Sequence, residues 1–88
     1  MTRRRVVVHG HLQGVFFRDT LRVHALAAGL TGWVRNTSEG TVEAVFEGAA
    51  GAVDTLVSIS HKGPRGARVD RVEVFEEEPQ GLDGFSIR

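Results

Sequence analysis

The chain has 88 residues, which is enough for one hydrophobic core and predicts a single domain spanning residues 1–88. Its 11 basic and 11 acidic side chains cancel, so overall charge does not recruit nucleic acid or an anionic membrane, and any anion site must be local. The absence of cysteine excludes disulfides, a cysteine nucleophile and thiolate metal sites, and no apolar stretch is long enough for a membrane span or a secretory signal.

The first third of the chain predicts a strand followed by a helix. A valine-rich run from Arg5 to His9 ends at Gly10 and has the composition of a buried strand. Apolar residues then recur at helical spacing, which predicts a helix from Arg18 to Ala28 with a C-cap at Gly29. The segment Gly10–Arg18 is therefore a glycine-containing loop that leads from a strand into a helix.

The middle of the chain predicts a β-hairpin. Extended runs from Leu30 to Asn36 and from Thr41 to Glu47 flank the turn-forming residues Thr37–Gly40. Apolar side chains alternate with more polar ones along the second run, which predicts a strand with one buried face and one face in water. The residues of the expected buried face are Val42, Ala44 and Phe46.

The last third predicts a second helix and a second strand. Apolar spacing indicates a helix from about Val53 to His61, followed by a loop at Gly63–Ala67 and a strand from Val69 to Glu77. Phe85 and Ile87 suggest a short final strand. The order βαββαβ, with this extension, predicts a two-layer α+β sandwich in which both helices cover one face of an antiparallel sheet.

The Gly10–Arg18 loop is the strongest candidate for an anion site. A loop that enters a helix presents unpaired backbone N–H groups and the positive end of the helix dipole. Arg18 follows in the first helical turn, where its guanidinium can form two parallel hydrogen bonds to a phosphate. The alternative is that Arg18 pairs with a surface carboxylate such as Asp19.

Asn36 is the second candidate site residue. It ends the predicted strand Leu30–Asn36, so its amide can project beyond the sheet edge. A side-chain amide donates and accepts hydrogen bonds, which suits the orientation of a water molecule. The alternative is that Asn36 forms only the turn that follows it.

At both positions the chain resembles the acylphosphatase family. The first signature of that family is similar to Gly10–Arg18, and the second is similar to Gly32–Asn36 followed by Glu39–Glu43. The similarity continues through Gly63–Ala67 to the closing Phe85–Arg88, so it spans essentially the whole chain. Small departures are Leu12 where valine is usual, Glu39 where aspartate is common, and the lack of an aromatic residue after Arg88.

This resemblance implies a ferredoxin-like fold and the hydrolysis of small acyl phosphates to a carboxylate and phosphate, without a metal or other cofactor. Arg18 and the backbone amides of the loop would hold the substrate phosphate, and Asn36 would orient the attacking water. The loop residues whose amides would contribute are Gln13, Gly14, Val15, Phe16 and Phe17. We expect a cytoplasmic monomer with no nucleic-acid or membrane partner.

Several other features have less specific explanations. His9 and His11 form an H-x-H pair, but no third ligand follows at a recognisable spacing, so we predict no metal site. We predict that Arg3–Arg5 and Glu76–Glu78 are solvated charged segments and that Trp33 is a core residue.

Two alternative functions fit the same fold. The first is a non-catalytic module that binds RNA or senses a metabolite, although the central strands carry few aromatic residues and the net charge is zero. The second is an acylphosphatase-like domain that works within a larger protein using carbamoyl phosphate.

Overall fold

The computed structural model describes residues 1–13 and 15–88, in which every predicted helix and strand is present. Their ends shift by a few residues, and the first strand changes most because it begins at Thr2. In chain order the elements are β1 Thr2–His11, α1 Phe17–Ala27, β2 Thr31–Asn36, β3 Val42–Gly48, α2 Ala50–Lys62, β4 Arg68–Glu77 and β5 Phe85–Ile87.

The strands form one sheet in the order β4-β1-β3-β2-β5. The first four strands pair in antiparallel fashion, as predicted, but β5 lies parallel to β2 and makes the sheet mixed. The reason is that β4 ends beside Arg3, at the end of the sheet where β2 begins. The chain crosses along that end to the opposite edge, so β5 must start where β2 starts and run in the same direction.

Both helices pack on one face of the sheet, which confirms the predicted α+β sandwich. The core joins the alternating apolar residues of the strands to the inward faces of α1 and α2. The Phe46 and Phe85 rings stack with their centroids 5.8 Å apart and link β3 to β5. The largest fully buried apolar side chains are Phe46, Leu21, Leu56, Val6, Val8, Val34, Val42, Val45 and Val53.

The other face of the sheet, here called the open face, differs from the predicted wet surface. Arg3 is only 6% exposed, so the prediction of a solvated Arg3–Arg5 segment is wrong. The segment joins β1, where both Arg3 and Arg5 form ion pairs with Glu77 of the neighbouring β4. Trp33 also lies outside the core cluster, partly exposed, with the Arg88 guanidinium 4.7 Å from its ring centroid.

Glu47 is the most deeply buried charged residue described on the open face, with 1% of its surface exposed. Its carboxylate accepts a 2.8 Å hydrogen bond from Arg3 and three further bonds from consecutive backbone N–H groups of the β4–β5 connection. Burial by itself would raise the pKa of Glu47, but these hydrogen bonds outweigh burial and lower the pKa below its ordinary value. The backbone donors belong to Gln80, Gly81 and Leu82.

Helix α1 begins directly after Phe16, whose backbone is left-handed with φ 56° and ψ 37°. A bulky residue rarely adopts this conformation, because its Cβ crowds the following carbonyl oxygen. The Phe16 side chain is 81% exposed, so burial of the ring does not compensate for this backbone cost.

Replacing the Glu47 carboxylate should destabilise the fold. We expect Glu47→Gln to lower the free energy of unfolding by about 3 kcal/mol at pH 7, because it leaves a buried arginine and several N–H groups poorly paired. Since the folded-state pKa of Glu47 is lowered, its contribution is complete above the ordinary carboxyl pKa of about 4.3 and is lost as the pH falls through the folded value. Urea denaturation at a series of pH values should show the parent and variant converging below about pH 4.

Glu76→Gln is the matched control for that experiment. Glu76 pairs with Arg4 but its side chain is 77% exposed, so its removal should change stability by less than about 0.5 kcal/mol. Equal effects of the two substitutions would contradict a special role for Glu47.

The left-handed backbone at Phe16 also predicts a difference between two variants. Asparagine tolerates this conformation and alanine does not, so Phe16→Asn should be more stable than Phe16→Ala by about 1 kcal/mol. Both variants remove the exposed ring, so the difference isolates the backbone contribution. Equal urea midpoints would show that the residue relaxes out of the left-handed region.

Candidate active site

The sheet topology brings the end of β1, from which the chain leads to Arg18 of α1, and Asn36 of β2 to the same end of the sheet. The loop predicted at Gly10–Arg18 is shorter in the structure, because β1 extends to His11 and α1 begins at Phe17. Strands β1 and β2 both pair with β3 in antiparallel fashion, so they run parallel to each other and stop at the same end of the sheet. Val8 of β1 and Asn36 of β2 pair with the same residue, Val42. Strand β5 runs parallel to β2, so Ile87 lies toward this end of the sheet as well.

A cleft of roughly 270 Å³ opens at this end of the sheet. It lies between the loop that joins β1 to α1, the start of α1 and the ends of β2 and β5. It contains both predicted catalytic residues. Arg18 lies at the start of α1, and Asn36 is the last residue of β2. Among the described residues, the lining consists of Leu12, Gln13, Phe16, Phe17, Arg18, Asp19, Asn36 and Ile87.

Gly10 forms an irregularity in β1 one residue before the strand ends. The register between β1 and β4 shifts between His9 and Gly10, which marks a β-bulge. A Cβ atom at Gly10 would lie 2.0 Å from the backbone oxygen of Arg68, and φ is 151°. Only glycine fits this close approach of the two strands, so the residue sets the path into the loop.

Arg18 lies in the first turn of α1 with its side chain partly exposed. Asp19 also lines the cleft, but it does not form an ion pair with Arg18, nor does any other carboxylate among the described residues. The N–H groups of the first helical turn have no acceptor within the helix. The positive end of α1 and an arginine without a carboxylate partner therefore share one cleft, which suits an anion.

Asn36 contacts the loop directly. Its Nδ2 donates a 3.2 Å hydrogen bond to Oε1 of Gln13, so one amide proton is held by the loop. The turn after Asn36 is closed by Thr37, whose N–H donates to the Thr41 carbonyl at 2.9 Å and whose hydroxyl lies 2.6 Å from the Thr41 hydroxyl. Asn36 is thus held between the turn and the loop. Its side-chain oxygen, Oδ1, can accept a hydrogen bond from a further partner.

The predicted phosphate-binding residues of the loop divide into three groups. Gln13, Phe16 and Phe17 line the cleft, whereas Val15 is partly buried and packs against the core. Gly14 lies outside the described residues. That the backbone amides of these five residues bind phosphate stays a prediction.

Three lining residues were not singled out in the sequence. Leu12 and Asp19 flank predicted site residues and could have been found from that proximity. Ile87 could not, because its place in the cleft depends on how β5 pairs with β2.

Neither histidine of the H-x-H pair is among the described residues that line the cleft. Nε2 of His9 is 2.6 Å from Oε1 of Glu73 on β4, and this hydrogen bond lowers the pKa of Glu73. In the part of the chain that the structure describes, no group of three histidine or carboxylate side chains is arranged to hold a metal ion. Within residues 1–13 and 15–88, no helix is long and apolar enough to cross a membrane.

Comparisons with known proteins identify the family and the fold. The acylphosphatase family model matches residues 4–87. An acylphosphatase of Rubrobacter xylanophilus is 59% identical over 88 residues, covering 98% of this chain and 79% of the relative. The crystal structure of an acylphosphatase from Bacillus subtilis has a TM-score of 0.95 at 34% identity, covering 100% of this chain and 99% of that one.

The same fold also occurs as a small part of a larger protein. Full-length HypF, solved in a phosphate- and nucleotide-bound form, matches with a TM-score of 0.91 at 26% identity, over 99% of this chain but 12% of that one. The family-model match and the 59% identity nevertheless identify the group directly. The chain therefore belongs to the acylphosphatase family of enzymes.

Proposed function

We propose that the protein hydrolyses the carboxyl–phosphate bond of small acyl phosphates without a metal ion, using Arg18, the loop amides and Asn36. Family membership supports hydrolysis of acyl phosphates. The observation that carries the assignment of residues is the presence of Arg18 and Asn36 in one cleft at the start of α1.

The substrate explains why so few residues suffice. An acyl phosphate is a mixed anhydride, and breaking its P–O bond releases a carboxylate. Carboxylic acids have pKa values of about 4, so this group leaves as an anion at neutral pH without a proton from the enzyme. The site therefore needs no general acid.

The remaining work is to hold the phosphoryl group and stabilise its charge. In phosphoryl transfer, negative charge is spread over the three equatorial oxygens of the transferring group. The Arg18 guanidinium can donate two parallel hydrogen bonds to these oxygens, and N–H groups at the start of α1 can donate others. Such donors are effective because they are already in place when the charge develops.

Asn36 would place the attacking water in line with the breaking bond. Because Gln13 accepts a hydrogen bond from the Asn36 Nδ2, the amide is oriented with Oδ1 left to accept from water. We assign the water's proton to an oxygen of the substrate phosphate, which is adjacent to the attacking water in this arrangement. Gln13 acts in this scheme through Asn36 and is a positioning residue.

Loss of either predicted catalytic residue should abolish most of the activity. We expect Arg18→Ala to lower kcat/KM for benzoyl phosphate by about 10²-fold or more, because it removes a charge stabiliser. Asn36→Ala should lower kcat with little change in KM, because water placement matters mainly in the transition state. Phosphate release should be measured with EDTA present throughout.

Arg65→Ala is the matched control, since Arg65 is an exposed arginine outside the cleft. It should retain parental kinetics, and the parent should be equally active with and without the chelator. Loss of activity in EDTA that returns with added metal would contradict the metal-free mechanism. Full activity of folded Arg18→Ala or Asn36→Ala would contradict the assignment of residues.

The proposed catalytic set of Arg18, the loop amides and Asn36 includes no general acid, which predicts strong discrimination between leaving groups. Phenyl phosphate has the same aromatic ring and phosphate group as benzoyl phosphate. Its leaving group is phenol, however, whose pKa is about 10, like that of the tyrosine side chain. We expect kcat/KM for phenyl phosphate to be at least about 100-fold lower. Comparable rates on the two substrates would mean that a proton donor operates in the cleft.

The cytoplasmic location and the monomeric state stay predictions from the sequence. Size-exclusion chromatography with light scattering would test the second of these.

A further inference from the structure

Two large apolar side chains stay exposed at the rim of the cleft. Phe16 is 81% exposed and Ile87 is 42% exposed, and both line the cleft. They come from separate segments, the loop before α1 and the last strand. Exposed apolar side chains that converge on a binding cleft indicate a contact surface for a ligand.

The backbone at Phe16 supports this interpretation. A phenylalanine in the left-handed region costs stability, and asparagine or glycine would adopt the conformation at lower cost. Strained positions of this kind concentrate at functional sites. The ring is not needed for the core, because it is almost fully exposed.

The lining of the cleft divides chemically as the substrate does. The polar lining residues are Gln13, Arg18, Asp19 and Asn36, and the mechanism proposed above uses all but Asp19 for phosphate and water. Phe16 and Ile87 provide exposed apolar surface that this mechanism does not use. The other apolar lining residues, Leu12 and Phe17, are buried in the core. An acyl phosphate likewise has a charged end and, when the acyl group is a hydrocarbon, an apolar end.

We propose that Phe16 and Ile87 form an acyl-group subsite that selects substrates with apolar acyl chains or rings over those with a polar carbamoyl group. This inference rests on the proposed function, because it places the phosphate end of the substrate at Arg18. Contact with the two side chains removes apolar substrate surface from water and lowers KM for larger hydrocarbon acyl groups. The amide group of carbamoyl phosphate gains little from the same surface.

The test compares kcat/KM for benzoyl, acetyl and carbamoyl phosphate in the parent, Phe16→Ala and Ile87→Ala. We expect the benzoyl-to-acetyl ratio to fall about tenfold in each variant, mainly through KM for benzoyl phosphate. Phe16→Asn should give the same loss as Phe16→Ala, which separates the missing ring from the backbone. Taking ratios within each enzyme cancels general effects on the site.

Val23→Ala is the matched control, because Val23 is a 54% exposed apolar residue of α1 outside the cleft. Its benzoyl-to-acetyl ratio should equal that of the parent. An unchanged ratio in both Phe16→Ala and Ile87→Ala, with the parent active, overturns the subsite alone. A parent that hydrolyses none of the three substrates overturns the proposed function and the subsite with it.

Discussion

The central position of β3 is the constraint on which the site depends. Because β1 and β2 both pair with β3 in antiparallel fashion, both strands stop at the same end of the sheet. Arg18 at the start of α1 and Asn36 at the end of β2 thereby reach one cleft, although most of α1 and β2 lies between them in the sequence. The hydrogen-bond ladders of the sheet hold the ends of β1 and β2 close together, and residues 12–16 alone separate β1 from α1, which carries Arg18.

The opposite end of the sheet carries the second constraint. The Glu47 carboxylate binds three consecutive N–H groups of the connection between β4 and β5 and is paired with Arg3. This contact holds the crossing segment against the open face, from which β5 enters the sheet beside β2. A buried charge far from the cleft thus helps to place Ile87 in it.

In the mechanism proposed above, the chemistry of the cleft is simple because an acyl phosphate is an activated substrate. A carboxylate leaving group would remove the need for an acid, so phosphate binding and water placement would suffice. This distinguishes the protein from a non-catalytic RNA-binding or metabolite-sensing module on the same fold. In such modules the sheet face provides the binding surface, whereas here Arg3 and Arg5 on the open face are both engaged in ion pairs with Glu77.

The sequence by itself determined the elements and the family, because hydrophobic periodicity and two multi-residue signatures are local properties of the chain. It also singled out Arg18 and Asn36, which the structure places in one cleft and whose catalytic role stays a prediction. It did not determine the direction of β5, the burial of Arg3 and Glu47 or the place of Ile87 in the cleft. Charged residues look solvated in a sequence, and their burial depends on partners such as Glu77, which lies far along the chain. Those features follow from strand pairing, which the tertiary structure sets by joining distant segments through hydrogen bonds and ion pairs.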